Sequence, residues 1–386
     1  MSEERLVPKL RFSGFDEDWI EINIKDYSTI KGRIGWKNLK QSEYTESGPY
    51  LIAGKHITNG IINWDECDHL SMERYDESPE IALKTGDVIF SKDGSLGNPA
   101  LIRELPDKAT INGTMMLVRL HDKVTPNFFY QVLNSYSFLR LLHILKSGSS
   151  IPHIFQRDME NFKFKIPQSL TEQNQISSFL EVVDEKIELL KQKQKQYENF
   201  KKYLMQQIFA QKLRFDYDIV KLKDISKINK GKQLNKDNMI ENGKYYVLNG
   251  GKDPSGYTNE WNTPENTITI SEGGNSCGYV NFNTEKFWSG GHCYYLTNIS
   301  ENVDNYYLYS YLKFKEEFIM RLRVGSGLPN IQKGDIENIK IQIVSKDNQN
   351  KISNLLLSVD KKIDSIQIQK ESFENFKQGL LQQMFV

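Results

Sequence analysis

Length, composition and charge set the first limits on this chain. Its 386 residues exceed the usual size of one domain, and 38% hydrophobic with 26% charged residues are typical of a folded protein with a considerable exposed surface. The formal net charge is zero, which gives no global sign of nucleic-acid binding, although phosphate binding needs only a locally basic surface.

Other classes are also disfavoured. No apolar run approaches the ~20 residues needed to cross a bilayer, and the first residues lack the apolar stretch of a secretory leader. Cys67, Cys277 and Cys293 are widely separated and odd in number, which argues against a disulfide framework or a closed zinc site. We therefore expect a cytoplasmic protein with reduced cysteines.

The first predicted elements are short strands followed by a helix. Residues 61–64, 87–91 and 115–120 are apolar or alternating runs bounded by Gly, Pro, Asn or Asp, as strands are. Residues 127–145 carry apolar side chains at helical spacing. A loop with Gly, Ser and Pro follows at 147–154. This order predicts an α+β domain.

A long helix is predicted next, over residues 171–211. Apolar or aromatic residues alternate at spacings of four and three, which forms one coiled-coil seam. Two lysines, Lys201 here and Lys377 in a second predicted long helix, interrupt the seams at equivalent places. Polar residues at such positions weaken a coil but can fix its register.

The second half of the chain repeats the first. The sequence KLRF of residues 9–12 recurs at 212–215, and 151–166 aligns with 328–343 at a constant offset of 177. The offset then becomes 176 and holds along both long helices. At the helix starts we keep the offset of 177, which aligns Gln349 and Asn350 with Glu172 and Gln173. The globular parts diverge most in their middle, which suggests two related readers of different targets.

These features together resemble the specificity subunit of type I restriction-modification systems. The resemblance spans essentially the whole chain, and the duplicated loop, the helix start with Glu172, Gln173 and Ile176, and the coil ending in LMQQIF carry most of it. It implies an α+β fold with two similar β-rich target recognition domains separated by two long antiparallel coiled-coil helices, in a pseudo-twofold repeat. We predict the domains as 1–168 and 212–344 and the spacer helices as 169–211 and 345–386.

The resemblance also implies a function and partners. Each domain would read one half of an asymmetric bipartite double-stranded DNA target, and the helices would set the gap. Two methylation subunits would modify adenine and motor subunits would cleave, so that this chain itself would hold no catalytic site, metal or cofactor. Consistent with this, the sequence contains no phosphate-binding loop and no amino-methyltransferase motif.

Basic residues and amides in loops next to the predicted strands are the candidate DNA contacts. Lysine and arginine neutralise phosphates, while amides and arginines read base edges. The selected residues are Lys31, Arg33, Lys37, Lys92, Ser95, Ser149 and His153 in the first copy, and Lys230, Lys232, Gln233, Asn275 and Asn330 in the second.

Two alternatives stay open at this point. The chain could be a coiled-coil scaffold that never contacts DNA, or a nuclease with an unrecognised motif. Both leave the duplication of loops and helices in the same order without a direct explanation.

Overall fold

The computed structural model describes residues 6–33, 39–147, 152–325, 327 and 329–386. They pack into two compact units. Unit 1 comprises residues 1–190 and 369–386, and unit 2 comprises residues 191–368.

Unit 1 is α+β and begins with strands. Its strands are β1 (Ile20–Asn23), β2 (Ser28–Gly32), β3 (Tyr44–Ile52), β4 (Ile57–Thr58), β5 (Ile61–Ile62), β6 (Asp68–Leu70), β7 (Val88–Ser91), β8 (Gly97–Leu101), β9 (Ala109–Ile111), β10 (Met115–Leu120) and β11 (Lys163–Ile166). Its helices are α1 (Met72–Asp76), α2 (Pro126–Val132), α3 (Tyr136–Ser147), α4 (Gln156–Glu160) and the first half of α5 (Leu170–Phe209).

Unit 2 is also α+β. Its strands are β12 (Tyr217–Lys221), β13 (Lys227–Lys230), β14 (Tyr245–Leu248), β15 (Gly256–Thr258), β16 (Thr267–Ser271), β17 (Val280–Asn283), β18 (Trp288–Ser289), β19 (Cys293–Thr297) and β20 (Lys340–Val344). Its helices are α6 (Leu222–Ile225), α7 (Asn305–Phe314), α8 (Glu316–Arg321), α9 (Lys333–Glu337) and most of α10 (Lys346–Met384).

The sheets confirm the internal repeat. A four-stranded antiparallel sheet has the order β2-β10-β7-β8 in unit 1 and β13-β19-β16-β17 in unit 2. A three-stranded sheet has the order β6-β3-β9 or β15-β14-β18, and in each one pair of strands is parallel. The central strands β7 and β16 are buried at every residue, as expected for core strands formed from continuous runs rich in β-branched and aromatic residues.

The starts of the long helices are equivalent at Gln173 and Gln349. The Gln173 side chain accepts from the backbone N–H of Thr125 at 2.9 Å, and the Gln349 side chain accepts from that of Asp304 at 2.8 Å. Both amides also donate to two backbone carbonyls. The alignment of Gln349 with Glu172 is therefore wrong by one residue, because the two fully buried glutamines perform the same task.

Most residues of the two seams are buried, and each unit pairs opposite ends of α5 and α10. In unit 1, Ile176 and Leu180 near the start of α5 share a core with Leu380 near the end of α10. In unit 2, Ile208 near the end of α5 shares a core with Ile352 near the start of α10. The helices therefore pair antiparallel, as predicted.

The two lysines that interrupt the seams form reciprocal ion pairs between the helices. In unit 1, Lys377 Nζ lies 2.5 Å from Asp184 Oδ1, and in unit 2, Lys201 Nζ lies 2.6 Å from Asp360 Oδ1. Both lysine side chains are less than one-fifth exposed. Each lysine reaches its aspartate at only one alignment of the two helices, so the ion pairs favour that alignment.

The segment 369–386 completes the core of unit 1. Phe385 packs against Trp19 and Phe128, with ring centroids 6.3 and 5.4 Å apart. The backbone N–H of Leu10 also donates to the carbonyl of Gln383 at 2.9 Å. Both termini of the described chain thus contribute to one hydrophobic core.

Cys67, Cys277 and Cys293 are free and buried. Burial raises the pKa of the Cys293 thiol to about 11, which keeps it protonated at neutral pH. Among the described residues, no helix is long and apolar enough to cross a membrane, and no group of three or more metal-ligating side chains is found.

Candidate nucleic-acid interface

In unit 1, the candidate site lies where β7 ends. Lys92 and Asp93 follow the strand, and the loop carrying His153 returns beside them through a β-bridge between Asp93 and His153. The backbone N–H of Ile154 donates to the carbonyl of Lys92 at 2.9 Å. The sequence folds this way because Gly94, at φ +71°, lets the chain turn sharply after Asp93.

The side chains of this first cluster are held but accessible. The His153 ring contacts the Asp93 carboxylate through Nδ1, and both side chains are about one-quarter to one-third exposed. The ring also packs against Phe155, with centroids 4.4 Å apart. This arrangement presents one imidazole and one ammonium group, from Lys92, at the same sheet edge.

In unit 2, the equivalent edge carries a different set of side chains. Glu272 and Gly273 follow β16, and a β-bridge joins Gly273 to Asn330. The Glu272 side chain is only 5% exposed; its Oε1 atom lies 2.6 Å from Lys230 Nζ and accepts from the Tyr294 hydroxyl at 3.0 Å. Burial, reinforced by that hydrogen bond to a carboxylate, raises the pKa of Tyr294, so the phenol stays a proton donor.

Neighbouring residues extend the second cluster. His292 Nδ1 lies 3.6 Å from Glu272 Oε2, and the backbone of Glu272 donates to the His292 carbonyl at 2.9 Å. Gln233 packs against Gly291, where an added Cβ would lie 2.7 Å from its Oε1 atom. The structure thus brings Lys230, Gln233 and Asn330 to the region of Glu272.

The remaining predicted residues are placed less tightly. Lys31 lies in β2 and is half-buried, Lys232 is exposed next to β13, and Ser95 and Asn275 are exposed in the turns that follow β7 and β16. The predicted contacts Lys37 and Ser149 lie outside the described residues.

Arg33 has a structural environment that differs from the expectation of an exposed loop. It is only 6% exposed, and its guanidinium donates to the Ile111 carbonyl at 3.3 Å and to the Ser78 hydroxyl at 3.4 Å. Burial, followed by repulsion from Arg74, lowers its pKa. The guanidinium is held by a backbone carbonyl of β9 and by the buried Ser78, not by exposed side chains that could move aside, so Arg33 is not retained among the proposed DNA contacts.

The contacts selected from the sequence do not include Glu272 and His292. A signal was available, because an acidic residue follows the strand in one copy where a lysine follows it in the other. Tyr294 carried no such signal, since its hydroxyl meets Glu272 only through the pairing of β16 with β19.

Comparisons with known proteins agree with the duplicated architecture. The family model described as the type I restriction modification DNA specificity domain matches twice, over residues 16–199 and 215–374. A solved structure of a type I restriction-modification S subunit from M. genitalium superposes with a TM-score of 0.69 over 98% of this chain and 99% of that one, at 20% identity, which speaks for the fold alone.

Sequence relatives carry the same name. A protein of Mycoplasma pneumoniae named as a type I specificity subunit is 35% identical over 147 residues, which are 38% of this chain and 39% of that protein. The MjaVIII specificity subunit of Methanocaldococcus jannaschii is 24% identical over 55% of this chain and 50% of its own length. The alignments with these two relatives thus span half of their length or less. The two matches to the family model together cover most of the sequence, and the chain belongs to the family of type I restriction-modification DNA specificity proteins.

Proposed function

We propose that this chain is the DNA-reading, non-catalytic subunit of a type I restriction-modification complex. Each unit binds one half of an asymmetric bipartite target in double-stranded DNA. The observation that carries the proposal is the pair of equivalent loop clusters, one in each unit. Each cluster lies at the equivalent edge of its unit's four-stranded sheet, but the two present different side chains. A shared frame with unlike contact groups is what two readers of unlike sequences require.

The proposed contacts are the residues at these sheet edges and the loops beside them. They are Lys31, Lys92, Ser95 and His153 in unit 1, with Lys37 and Ser149 retained from the sequence, and Lys230, Lys232, Gln233, Asn275 and Asn330 in unit 2. Their lysines supply phosphate or guanine contacts, and their amides and imidazole supply hydrogen bonds to base edges.

The partners in this proposal are two methylation subunits, which modify adenine, and motor subunits, which cleave. The predicted division into domains 1–168 and 212–344 and spacers 169–211 and 345–386 belongs to the same proposal.

The helices set the number of unread base pairs between the half-sites. The reciprocal pairs Lys377–Asp184 and Lys201–Asp360 support this role because they fix how the helices align. The complex works in the cytoplasm, without a membrane partner and without a cofactor bound to this chain.

Mapping methylated adenines tests the proposal. The chain is expressed with its methylation subunit in a host that lacks other adenine methylation, beside a host that receives the methylation subunit alone. We expect one two-part motif, methylated only when this chain is present. Methylation that is independent of the chain, or a single continuous motif, contradicts the proposal.

A helix insertion tests the spacer role. Seven residues added at the middle of both long helices preserve the seam and lengthen each by ~10 Å, at ~1.5 Å per residue. At ~3.4 Å per base pair, the gap in the methylated motif is expected to grow by about three base pairs while both half-sites stay the same. A matched variant with seven substitutions on exposed helix positions and no added length should leave the gap unchanged.

A further inference from the structure

Strand register makes Lys92 and Glu272 structurally equivalent. Ser91 of β7 lies opposite Met115, and Ser271 of β16 lies opposite Cys293, so the next residue along is Lys92 in one unit and Glu272 in the other. Their backbone carbonyls each accept from the same position of the returning loop, at 2.9 Å in both units. The two units therefore place opposite charges at one site of the fold.

The neighbouring strand is adjusted to this exchange. Gly32 of β2 lies opposite Met116, and Lys230 of β13 lies opposite Tyr294, so Gly32 and Lys230 are equivalent. In unit 1, the Lys92 ammonium lies over Gly32, where an added Cβ would be 3.6 Å from Nζ. In unit 2, that place is taken by Lys230, which pairs with Glu272.

The unit 2 cluster contains two buried acceptors without a hydrogen-bond partner. They are Glu272 Oε2 and Asn330 Oδ1. Buried polar atoms normally form hydrogen bonds, and a buried carboxylate oxygen without one is costly enough to require an explanation. A donor group brought by a ligand would supply the missing hydrogen bond to Glu272 Oε2. Lys230 and His292, whose side chains are 52% and 61% exposed, are the movable groups that cover the Glu272 carboxylate.

The chemistry of Lys92 is the opposite. It forms no ion pair within the described part of the chain, so its ammonium is available as a donor. In the major groove, lysine suits the O6 and N7 acceptors of guanine, whereas a carboxylate accepts from the exocyclic amine of cytosine. Adenine carries a comparable amine beside its N7 acceptor. The Lys230 ammonium can donate to N7 while the Glu272 carboxylate accepts from the amine.

We propose that Lys92 and Glu272 are equivalent base-reading residues of opposite hydrogen-bond polarity: Lys92 donates to guanine in one half-site, and Glu272 accepts from the amine of cytosine or adenine in the other. This inference rests on the proposed function and assigns to one position in each unit the choice of base. The difference between the two targets then arises in part from a single exchanged charge on a shared frame.

The test compares three substitutions in the full-length chain, each expressed with the methylation subunit. Methylated adenines are mapped on DNA that contains every base change of the target sequence. Glu272→Met is expected to lower discrimination at one position of one half-site about tenfold or more, and to leave the other half-site unchanged. Lys92→Met is expected to relax one position of the opposite half-site, and that position should hold a G·C pair. Glu272→Gln keeps the size and one acceptor oxygen, so it should change the preference at the same position as Glu272→Met.

Several outcomes overturn the inference. A two-part motif that survives Glu272→Met unchanged refutes the polarity assignment while leaving the proposed function in place. Relaxation spread over both half-sites identifies a general charge effect, which also contradicts it. If Glu272→Met fails to assemble, an unchanged motif with Glu272→Gln decides against the inference. Absence of any two-part motif with the unaltered chain refutes the proposed function itself.

Discussion

The ion pair between Lys377 and Asp184 offers a sharp test of how the long helices are held. Replacing Lys377 by Met keeps a long apolar stem but removes the charge, and it leaves Asp184 with the Gln131 amide, which donates to Oδ2 at 3.3 Å. The lysine side chain is 13% exposed and the aspartate 30%. This pair lies between an exposed pair, which contributes about 0–1 kcal/mol, and a buried pair, whose disruption costs about 3–5 kcal/mol.

We therefore expect Lys377→Met to lower the free energy of unfolding of unit 1 by about 2 kcal/mol. For a unit of about 200 residues, this corresponds to a fall in the melting temperature of roughly 4–8 °C. The matched control is Lys351→Met, because Lys351 pairs with Asp347 at 2.6 Å on the surface of α10, where both side chains are more than 70% exposed. That control should lose less than about 0.5 kcal/mol.

The assay is urea unfolding followed by a double-mutant cycle with Asp184→Asn. We expect a coupling energy of about 1–2 kcal/mol between Lys377 and Asp184. A coupling below about 0.5 kcal/mol, or a loss no larger than that of Lys351→Met, would refute the argument that this pair selects the helix alignment.

Three further predictions concern stability. Gly278→Ala should lower the melting temperature strongly, because Gly278 has a φ of +90° and an added Cβ would lie 2.8 Å from the Met320 Cα atom. Gly274→Ala, with open space around it, should cost only the strain of its positive φ. Equal losses in melting temperature would contradict the steric reason. Arg33→Ala should destabilise unit 1 by about 1–3 kcal/mol through lost packing and buried hydrogen bonds, measured by urea unfolding; selective loss of DNA binding at unchanged stability would argue for a direct contact instead. Burial raises the pKa of Tyr130 to about 12, so the unfolded state loses the phenol proton first and stability should fall as the pH rises from about 10 to 12; Tyr130→Phe should reduce this fall in a pH series of thermal melts.

The repeat and the long helices were accessible from the sequence because their signals are local and periodic. The coiled-coil seam was predicted from apolar residues at spacings of four and three, and its members Ile176, Leu180 and Ile352 are buried. The predicted helix over 127–145 is interrupted at residues 133–135, and the equivalent segment of unit 2, residues 305–321, is interrupted at Lys315. The apolar residues keep nearly helical spacing across these positions, so the pattern alone did not reveal the breaks.

The candidate site was accessible only in part. The sequence indicated the loops that the structure brings together, since they are duplicated and carry Lys92, His153 and Asn330. It did not indicate that Arg33 is buried, because a basic residue beside a glycine has the same appearance whether it supports a core or faces solvent. The equivalence of Gly32 with Lys230 depends on the pairing of β2 with β10 and of β13 with β19, strands that are distant in sequence. The linear alignment of the two copies is displaced by one residue here, and only the strand register shows it.

The contribution of residues 369–386 to the first core has a consequence for biosynthesis. A ribosome makes Trp19 and Phe128 long before Phe385, so unit 1 lacks part of its core until residues 369–386 are made, whereas unit 2 is continuous in sequence. Truncation of the last turns of α10 should thus expose apolar surface hundreds of residues upstream, and nascent chains stalled before residues 369–386 are made should be open to proteases in the part that was made first.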